Sequence, residues 1–578
     1  MSLINYLNEV VGQSFTKNGF EPNKKLVKLS DRPDLSEFQC NAAFELAKEK
    51  KQNPRVIAEK IVAELKENPI FSDVSVAGPG FINISLSDTF LANYIQEMSI
   101  DPKMGIRAEN PKKIMIDYGG ANVAKPLHVG HLRSAIIGEG LKRLARELGH
   151  EVIGDVHLGD WGRQMGIIIS ELKRRKPDLV YFDENYTGEY PNESPVTLAE
   201  LDEIYPTASK EAKDSEERMQ EAREATSILQ NEDKPGHRGY YALWQKMVEE
   251  SVKDLKKNYD KLGVSFELWR GESSCHKSIP EMMGFLKDKN LLRDSDGAVV
   301  MDVAEDSDTS PVPPVILKTK SDSVGYQTTE MATIYERVKE FNPDEIWYVV
   351  DGRQDMHFKQ VFRAAYKSGI APEDLKLRFI GFGTMNGKDG KPFKTRSGDT
   401  VKLRELINEM ISVIAGKSTI KDPEIIQNIA IGCLKFADLI NFRESDYVFD
   451  MEKFTSFEGK TGAYILYGLV RINSILKNTE HFDYKITEIR TKEEKDLLIQ
   501  LTKFSDVFNI TYTKFAPHYL AEYVYTLTKL FSSFYANCQI NNEADENYKK
   551  SKLSLIYLVK RHIEICLGLL GIKTVEKM

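Results

Sequence analysis

The segment Asp117-Tyr-Gly-Gly-Ala-Asn-Val-Ala-Lys-Pro-Leu-His-Val-Gly-His-Leu-Arg-Ser, ending at Ser134, constrains the fold of this chain more than any other stretch. A short apolar strand, Ile114-Met-Ile, runs into it, and helical spacing runs out of it from Val129 to Leu148. Strand, glycine-containing turn and helix in succession belong to a parallel sheet, whose ligand sites lie beyond the carboxyl ends of the strands. Gly130 lets a ligand approach the backbone, while the helix start offers unpaired N–H groups and a positive dipole end to phosphate. His128 and His131 can donate hydrogen bonds to phosphate oxygens and stabilise charge that grows there during displacement at phosphorus. Histidines so spaced also suit a metal, but a zinc site needs roughly three to four protein ligands and no third lies nearby. The pattern reads as a nucleotide site with no resident metal.

Downstream, Val152-Ile-Gly-Asp-Val, Ile346-Trp-Tyr-Val-Val and Leu377-Arg-Phe-Ile-Gly-Phe read as further strands. After the last of them, Lys388, Lys391, Lys394 and Arg396 alternate with Gly387, Gly390 and Gly398. In isolation that is a solvated loop; on one sheet with the histidine segment it reads as a mobile basic loop closing over a polyphosphate. Residues 1–110 read as a small α+β unit, with helical spacing from Asn41 to Leu65, strand-like Val74-Ser-Val-Ala and Phe81-Ile-Asn-Ile, and Pro102 and Pro111 marking a linker. Beyond about Leu403 no strand is predicted, and Leu520, Val524, Leu527, Phe531 and Phe534 recur at helical spacing after Pro517. The expected fold is therefore α/β: a small N-terminal α+β domain (1–110), a Rossmann-type parallel-sheet domain with insertions (111–445) and an all-helical domain (446–578).

Composition narrows the function classes. At about 100–200 residues per domain, 578 residues make three or four domains, and a 41% hydrophobic share excludes global disorder. Cys40, Cys275, Cys433, Cys538 and Cys566 stand far apart, as reduced thiols of a cytoplasmic protein do. No apolar run reaches the roughly 18 residues of a membrane span, so no membrane partner is expected. The net charge of −8 argues at first against nucleic acid. Yet residues 181–235 alone carry 15 acidic against 5 basic side chains, a local −10 that leaves +2 for the rest of the chain. That stretch reads as a solvated insertion or surface helical hairpin facing solvent, which frees the remaining surface for a polyanion.

The histidine segment from Asn122 to Ser134 resembles the class I aminoacyl-tRNA synthetases, and in its long form the arginyl-tRNA synthetases. His157-Leu-Gly-Asp-Trp-Gly-Arg-Gln, Lys391-Pro-Phe-Lys-Thr-Arg-Ser-Gly, Asp446-Tyr-Val-Phe-Asp, Ser456-Phe-Glu-Gly-Lys-Thr-Gly and Pro517-His-Tyr-Leu-Ala-Glu-Tyr are similar to family segments in the family's order. The resemblance runs over essentially the whole chain. It implies an N-terminal domain contacting the tRNA elbow, a Rossmann catalytic domain and a helical anticodon-binding domain. It also implies activation of L-arginine by ATP, accompanied by Mg2+, to arginyl-adenylate, with transfer to the 3′ end of the cognate tRNA. A monomer without an editing domain is expected, and tRNA-dependent activation follows from the same likeness.

Position within these motifs implies residue roles. His128, Gly130, His131, Lys391 and Lys394 fall at the ATP site, with His128, His131, Lys125, Lys394 and Arg396 acting on phosphate oxygens. The phosphate loop departs from the usual Lys-Met-Ser-Lys-Ser, and Lys125 supplies the missing charge in members that depart in this way. Asp117 and Asn122 fall at the α-amino and carboxylate end of the amino acid; Tyr326 and Glu330 fall around its side chain, with Glu330 where the family usually has Asp, and Gln354 falls at a further polar contact. A guanidinium carries donors in a rigid fork, so a selective pocket needs such acceptors. Tyr464, Tyr467, Arg471, Tyr523 and Tyr525 are candidates for stacking on anticodon bases, against the alternative that each fills the helical core. Two rival readings are a small-molecule nucleotidyltransferase, which has no use for the terminal domains, and a non-catalytic RNA-binding relative, which has no use for the intact histidine motif.

Overall fold

The computed structural model describes residues 2–23, 26–32, 34–104, 106–108, 110–320, 324–391, 393, 401–477 and 485–578. They fall into two compact units: Met1–Arg107 with Ser418–Phe436 and Thr455–Met578, and Ala108–Lys417 with Ala437–Phe454. Lys394 and Arg396 of the expected basic loop lie outside the described residues.

The second unit is built on five parallel strands, β1 (Lys113–Asp117), β2 (Glu151–Leu158), β3 (Leu268–Gly271), β4 (Glu345–Asp351) and β5 (Lys376–Phe382), in the spatial order β5-β4-β1-β2-β3. The order reverses between β1 and β4, so a crevice opens beyond the carboxyl ends of those two strands. Strand β1 is buried from Ile114 to Asp117, the continuous run of a strand inside a parallel sheet. Its register sets Asp117 beside Asp155 of β2 and Tyr348 of β4, which brings polar side chains together at the mouth of the crevice. Helix α1 (Val129–Leu148) follows β1 over the expected range. Strand β3 is a short edge strand, mostly half-buried, and carries too little apolar pattern to be predicted.

The acidic insertion needs a correction. It follows α2 (Arg163–Arg175) and forms α3 (Leu198–Asp214) and α4 (Glu216–Gln230), with α5 (His237–Leu262) after it. The helices are real, but their inner faces are not solvated: Leu201, Ile204, Ala208 and Ala212 of α3 and Ala222, Ala225 and Leu229 of α4 are buried. Gly166 of α2 lets α4 approach so closely that a Cβ there would collide with the Ala222 carbonyl and the Thr226 hydroxyl. Buried Glu171 of α2 gathers Arg174, Arg175 and Arg218. Small alanines packing helix against helix leave little hydrophobic signal in a stretch so rich in carboxylates.

In the first unit, Val27–Leu29, Phe38–Cys40, Phe81–Leu86 and Phe71–Ala77 form an antiparallel sheet in that order. The helical run expected from Asn41 to Leu65 is two helices, Ala42–Lys50 and Pro54–Leu65, because Lys51 turns left-handed (φ 52°) and Pro54 opens the second. The carboxyl-terminal helices include Gly462–Leu476, Lys492–Thr502, His518–Asn537 and Glu546–Leu569. Lys495 ties them to the sheet through Glu37 (3.0 Å) and the Leu86 carbonyl (3.1 Å). Residues 446–454, expected at the start of the helical part, belong to the second unit, because Tyr447–Val448 pairs in parallel with Met385–Asn386. The five cysteines are buried thiols, and no described helix is long and apolar enough to cross a membrane.

Candidate active site

The loop leaving β1 is fixed from several directions. Ser134 of α1 accepts from the Gly119 N–H (2.8 Å) and donates to the Val349 carbonyl of β4 (2.7 Å), so one hydroxyl joins both strands at the switch point. Gly120 passes against the His157 carbonyl, where a Cβ would stand 2.7 Å away, and Gly159 leaves room for the Asn122 side chain. Ala124 is held in the left-handed region (φ 61°), with its N–H given to Ser251 Oγ at 3.0 Å. A non-glycine residue stays there only where its surroundings hold it.

At the start of α1 the two histidines cap the helix. His128 Nδ1 accepts from the Gly130 N–H (3.0 Å) and His131 Nδ1 accepts from the His128 N–H (3.1 Å), with ring centroids 3.8 Å apart. An Nδ1 that accepts leaves the proton of a neutral imidazole on Nε2, so both rings present an N–H donor on their other side. Burial and then the Lys125 charge hold His128 below its ordinary range, while burial and then His128 bring His131 down to about 3. Both are neutral donors at physiological pH. Lys125 lies with its ammonium 3.9 Å from the ring centroid of Tyr205 on α3. Gly130 is exposed in front of His128, and a Cβ on it would meet that ring at 2.8 Å. Lys391 is exposed on a turn closed by Gly387 N–H to its carbonyl (2.8 Å), whereas Lys388 pairs with Asp450 (3.3 Å).

The other end of the crevice is acidic. Asp117 is 7% exposed and accepts from Arg337 of α6 (Tyr326–Phe341) at 2.7 Å; the same guanidinium nitrogen binds Asp155 at 2.7 Å. Asp117, expected at the α-amino and carboxylate end of the amino acid, gives part of its charge to this internal cation. Glu330, one turn from Tyr326 on α6, has a buried Oε2 with no hydrogen-bond partner among the described residues. Burial first and Asp117 second push its carboxyl up to about 8, against the opposing pull of Arg337. Glu272, at the start of the short helix Glu272–Cys275 after β3, is 8% exposed; burial and then Asp160 push it to about 8. Tyr326 is 64% exposed at the start of α6; partial desolvation, then the charges of Glu272 and Glu330, raise its phenol. Buried His157 Nδ1 and Nε2 and Trp161 Nε1 likewise lack partners among the described residues. Asn122 is half-buried beside Gly159, and Gln354 is exposed in the turn after β4.

Residues 95–451 match the family model for the class I (R) tRNA synthetase catalytic domain, residues 465–578 the DALR anticodon binding domain, and residues 1–86 the arginyl tRNA synthetase N terminal domain. The chain belongs to the arginyl-tRNA synthetase family. It is 49% identical over 589 residues to an arginine–tRNA ligase of Alkaliphilus oremlandii and 46% identical over 598 residues to one of Agathobacter rectalis, each match covering the whole of both chains. The fold of Plasmodium falciparum arginyl-tRNA synthetase aligns with a TM-score of 0.78 at 26% identity, over 100% of this chain and 99% of that one. That of the Thermus thermophilus enzyme aligns at 0.77 and 20% identity over 100% of both. This synthetase is accordingly an arginine–tRNA ligase: it activates arginine with ATP and joins it to its tRNA.

Among the aromatic residues expected to meet tRNA, the synthetase separates two kinds. Tyr523 is 3% exposed and packs on Phe504, so no base can reach its face and the expectation is corrected: it is a core residue. Tyr464 and Tyr525 are half-buried and contact each other at 5.8 Å between centroids, with the Tyr464 hydroxyl on Ser532. Tyr467 and Tyr535 are exposed, and Arg471 lies over both rings at 4.8 and 4.9 Å. Tyr535, Arg337, Glu272 and Tyr205 were missed in the sequence. Only Tyr535 carried a signal, one helical turn beyond the buried Phe531.

Proposed function

We propose that the crevice divides its work by charge, with Glu330 and Glu272 reading the arginine guanidinium and His128, His131 and Lys125 holding the ATP phosphates. The observation that carries this reading is the buried, unpartnered Oε2 of Glu330 beside a second buried carboxyl, with neither in an ion pair among the described residues. Leaving such groups unpaired is costly, and a planar cation with a fork of donors satisfies both. Tyr326 packs on the side chain of the substrate, and Asn122, Asp117 and Gln354 hold its α-amino and carboxylate end. Glu330 reaches one methylene further than the aspartate usual in the family, which suits a pocket shared with Glu272.

The arginine carboxylate then attacks the α-phosphate, pyrophosphate leaves, and the terminal ribose hydroxyl of tRNA displaces AMP from the adenylate. No covalent protein intermediate is needed: the Nε2–H groups of His128 and His131 donate to phosphate oxygens, and Lys125 with the 388–396 loop offsets their charge. Gly130 keeps the approach open, and Lys391, Lys394 and Arg396 supply positive charge to the phosphates. Mg2+ accompanies ATP as the counter-ion of its phosphates. Residues 1–107 take the elbow-binding role, the parallel-sheet unit the catalytic role and residues 455–578 the anticodon-binding role, with Tyr464, Tyr467 and Arg471 on the last, in a cytoplasmic monomer. In ATP–pyrophosphate exchange with tRNA present, Glu330→Gln and Glu272→Gln should raise KM for arginine while leaving KM for ATP near the wild-type value. Equal rises in both constants would refute the division.

A further inference from the structure

We propose that Tyr205, carried by the acidic insertion, is a positioning residue for the reaction: its ring holds the Lys125 ammonium beside the two histidines at the phosphate end of the crevice. The proposal rests on the phosphate role given to Lys125 above. The Lys125 ammonium stands 3.9 Å from the Tyr205 ring centroid, close enough for a cation–π contact. The backbone on either side is already fixed, by left-handed Ala124 bonded to Ser251 and by the ring of Pro126, so the flexible part left to position is the lysine side chain itself.

The choice of partner matters chemically. Helix α3 is rich in carboxylates, yet those near its start are committed elsewhere: Glu200 to Lys176, Glu203 to Arg175 and Asp202 to Lys402. Lys125 makes no ion pair with a carboxylate among the described residues and receives an aromatic face instead. A carboxylate would neutralise the ammonium before ATP arrives; a ring orients it and leaves the charge available to a phosphate.

The contact is part of a two-point grip. Asp202 and Tyr205 lie on one face of α3, three residues apart in sequence. Asp202 holds Lys402 at 3.1 Å, and Lys402 is bridged through its backbone to His128, with Leu403 N–H on the Leu127 carbonyl at 2.8 Å. One helix of the insertion thus touches the segment before the histidine motif and the segment that returns from the phosphate loop. Burial raises the Tyr205 phenol, and Lys125, with smaller contributions from Ser209 and Lys213, outweighs it, leaving a net downward shift.

The test is exchange of pyrophosphate into ATP by the full-length enzyme with arginine and tRNA, using Tyr205→Leu, Tyr205→Phe, Lys125→Ala and the double variant Lys125→Ala/Tyr205→Leu. Tyr205→Leu should lower kcat/KM for ATP about tenfold, as loss of a partly desolvated cation–π contact does, while Tyr205→Phe stays within about twofold. Lys125→Ala should lower it further, and adding Tyr205→Leu to that background should change nothing more. Should Tyr205→Leu fold poorly, Tyr205→Met serves in its place. Additive losses, or wild-type activity in Tyr205→Leu, would overturn the proposal. A faster enzyme would overturn it too, since the ring would then be holding the ammonium away from ATP. Full activity in Lys125→Ala would instead remove the phosphate role of Lys125, and the proposal with it.

Discussion

The two ends of the crevice respond to burial in opposite directions, and the contrast underlies their proposed division of labour. At the acidic end, burial raises Glu330 and Glu272 to about 8, so these groups hold protons at neutral pH. At the phosphate end, burial lowers His131 to about 3, so it carries no charge in the working range. Desolvation thus removes charge from both ends, but the chemistry left behind differs. A carboxyl that loses its proton becomes the counter-charge a guanidinium needs. A neutral imidazole remains a hydrogen-bond donor, fitted to an oxygen whose charge grows only as the α-phosphate is attacked. On the proposed reading, the first end binds a ground state and the second favours a transition state.

The largest test of this contrast pairs one substitution from each end. Glu330→Gln removes a buried counter-charge and should reduce kcat/KM for arginine by about a hundredfold or more, expressed in KM. His131→Ala should reduce the rate of adenylate formation by about a hundredfold or more, expressed in kcat, with little change in tRNA affinity. Steady-state exchange and a separate tRNA-binding titration measure both. If Glu330→Gln lowered kcat alone, or if His131→Ala weakened tRNA binding as much as it slowed activation, the ends would not be separable.

How much of this was legible in the sequence follows the same physics. The strand, loop and helix from Ile114 to Leu148 carry their own local signals, a buried apolar run, glycines and a helix start, and they stand where those signals put them. Glu330 could be singled out only through resemblance, because its partner Glu272 lies far away in sequence and reaches it through the packing of the short helix Glu272–Cys275 on α6. Arg337 was invisible for the same reason: a lone arginine in a helical stretch says nothing of the two aspartates on β1 and β2 that it bridges. The insertion misled because its carboxylates dominate its composition while its alanines do the packing. Charge counts describe a surface, and the residues that position Lys125 and Lys402 lie on the inner face of that segment.

The contrast also predicts opposite responses to pH. Glu330 sits above its unfolded value of about 4, so its contribution to stability is present at acid pH and is lost as pH rises toward about 8. Arginine binds the ionised form, so affinity should rise with pH up to about 8 and level off, by at most about tenfold per unit for each group. Calorimetric titration of arginine should therefore release protons at pH 7, and Glu330→Gln should flatten the profile and shrink the release. Rates of adenylate formation at saturating arginine should show no inflection from His131 between about pH 5 and 9, since that ring is neutral throughout. An inflection near 6.5 that disappears in His131→Ala would break the contrast at its phosphate end.

The smallest effects belong to the helical part, where the same question, whether burial leaves a group available to a ligand, separates tyrosines alike in sequence. Tyr467 is 40% exposed with Arg471 over its ring, whereas Tyr523 is 3% exposed among core residues. Base stacking on one aromatic is worth roughly 1–3 kcal/mol, and a neighbouring Tyr535 can compensate in part, so Tyr467→Ala should raise KM for tRNA by about five- to tenfold without altering KM for arginine or the melting temperature. Tyr523→Leu should do the reverse, lowering the melting temperature through lost packing while KM for tRNA stays near wild type in the folded protein. Both are read from aminoacylation against tRNA concentration and from thermal unfolding of the same samples. A tRNA effect in Tyr523→Leu at temperatures where it is fully folded would mean that the helices part to expose this ring, and burial in the free enzyme would no longer separate ligand-facing residues from core.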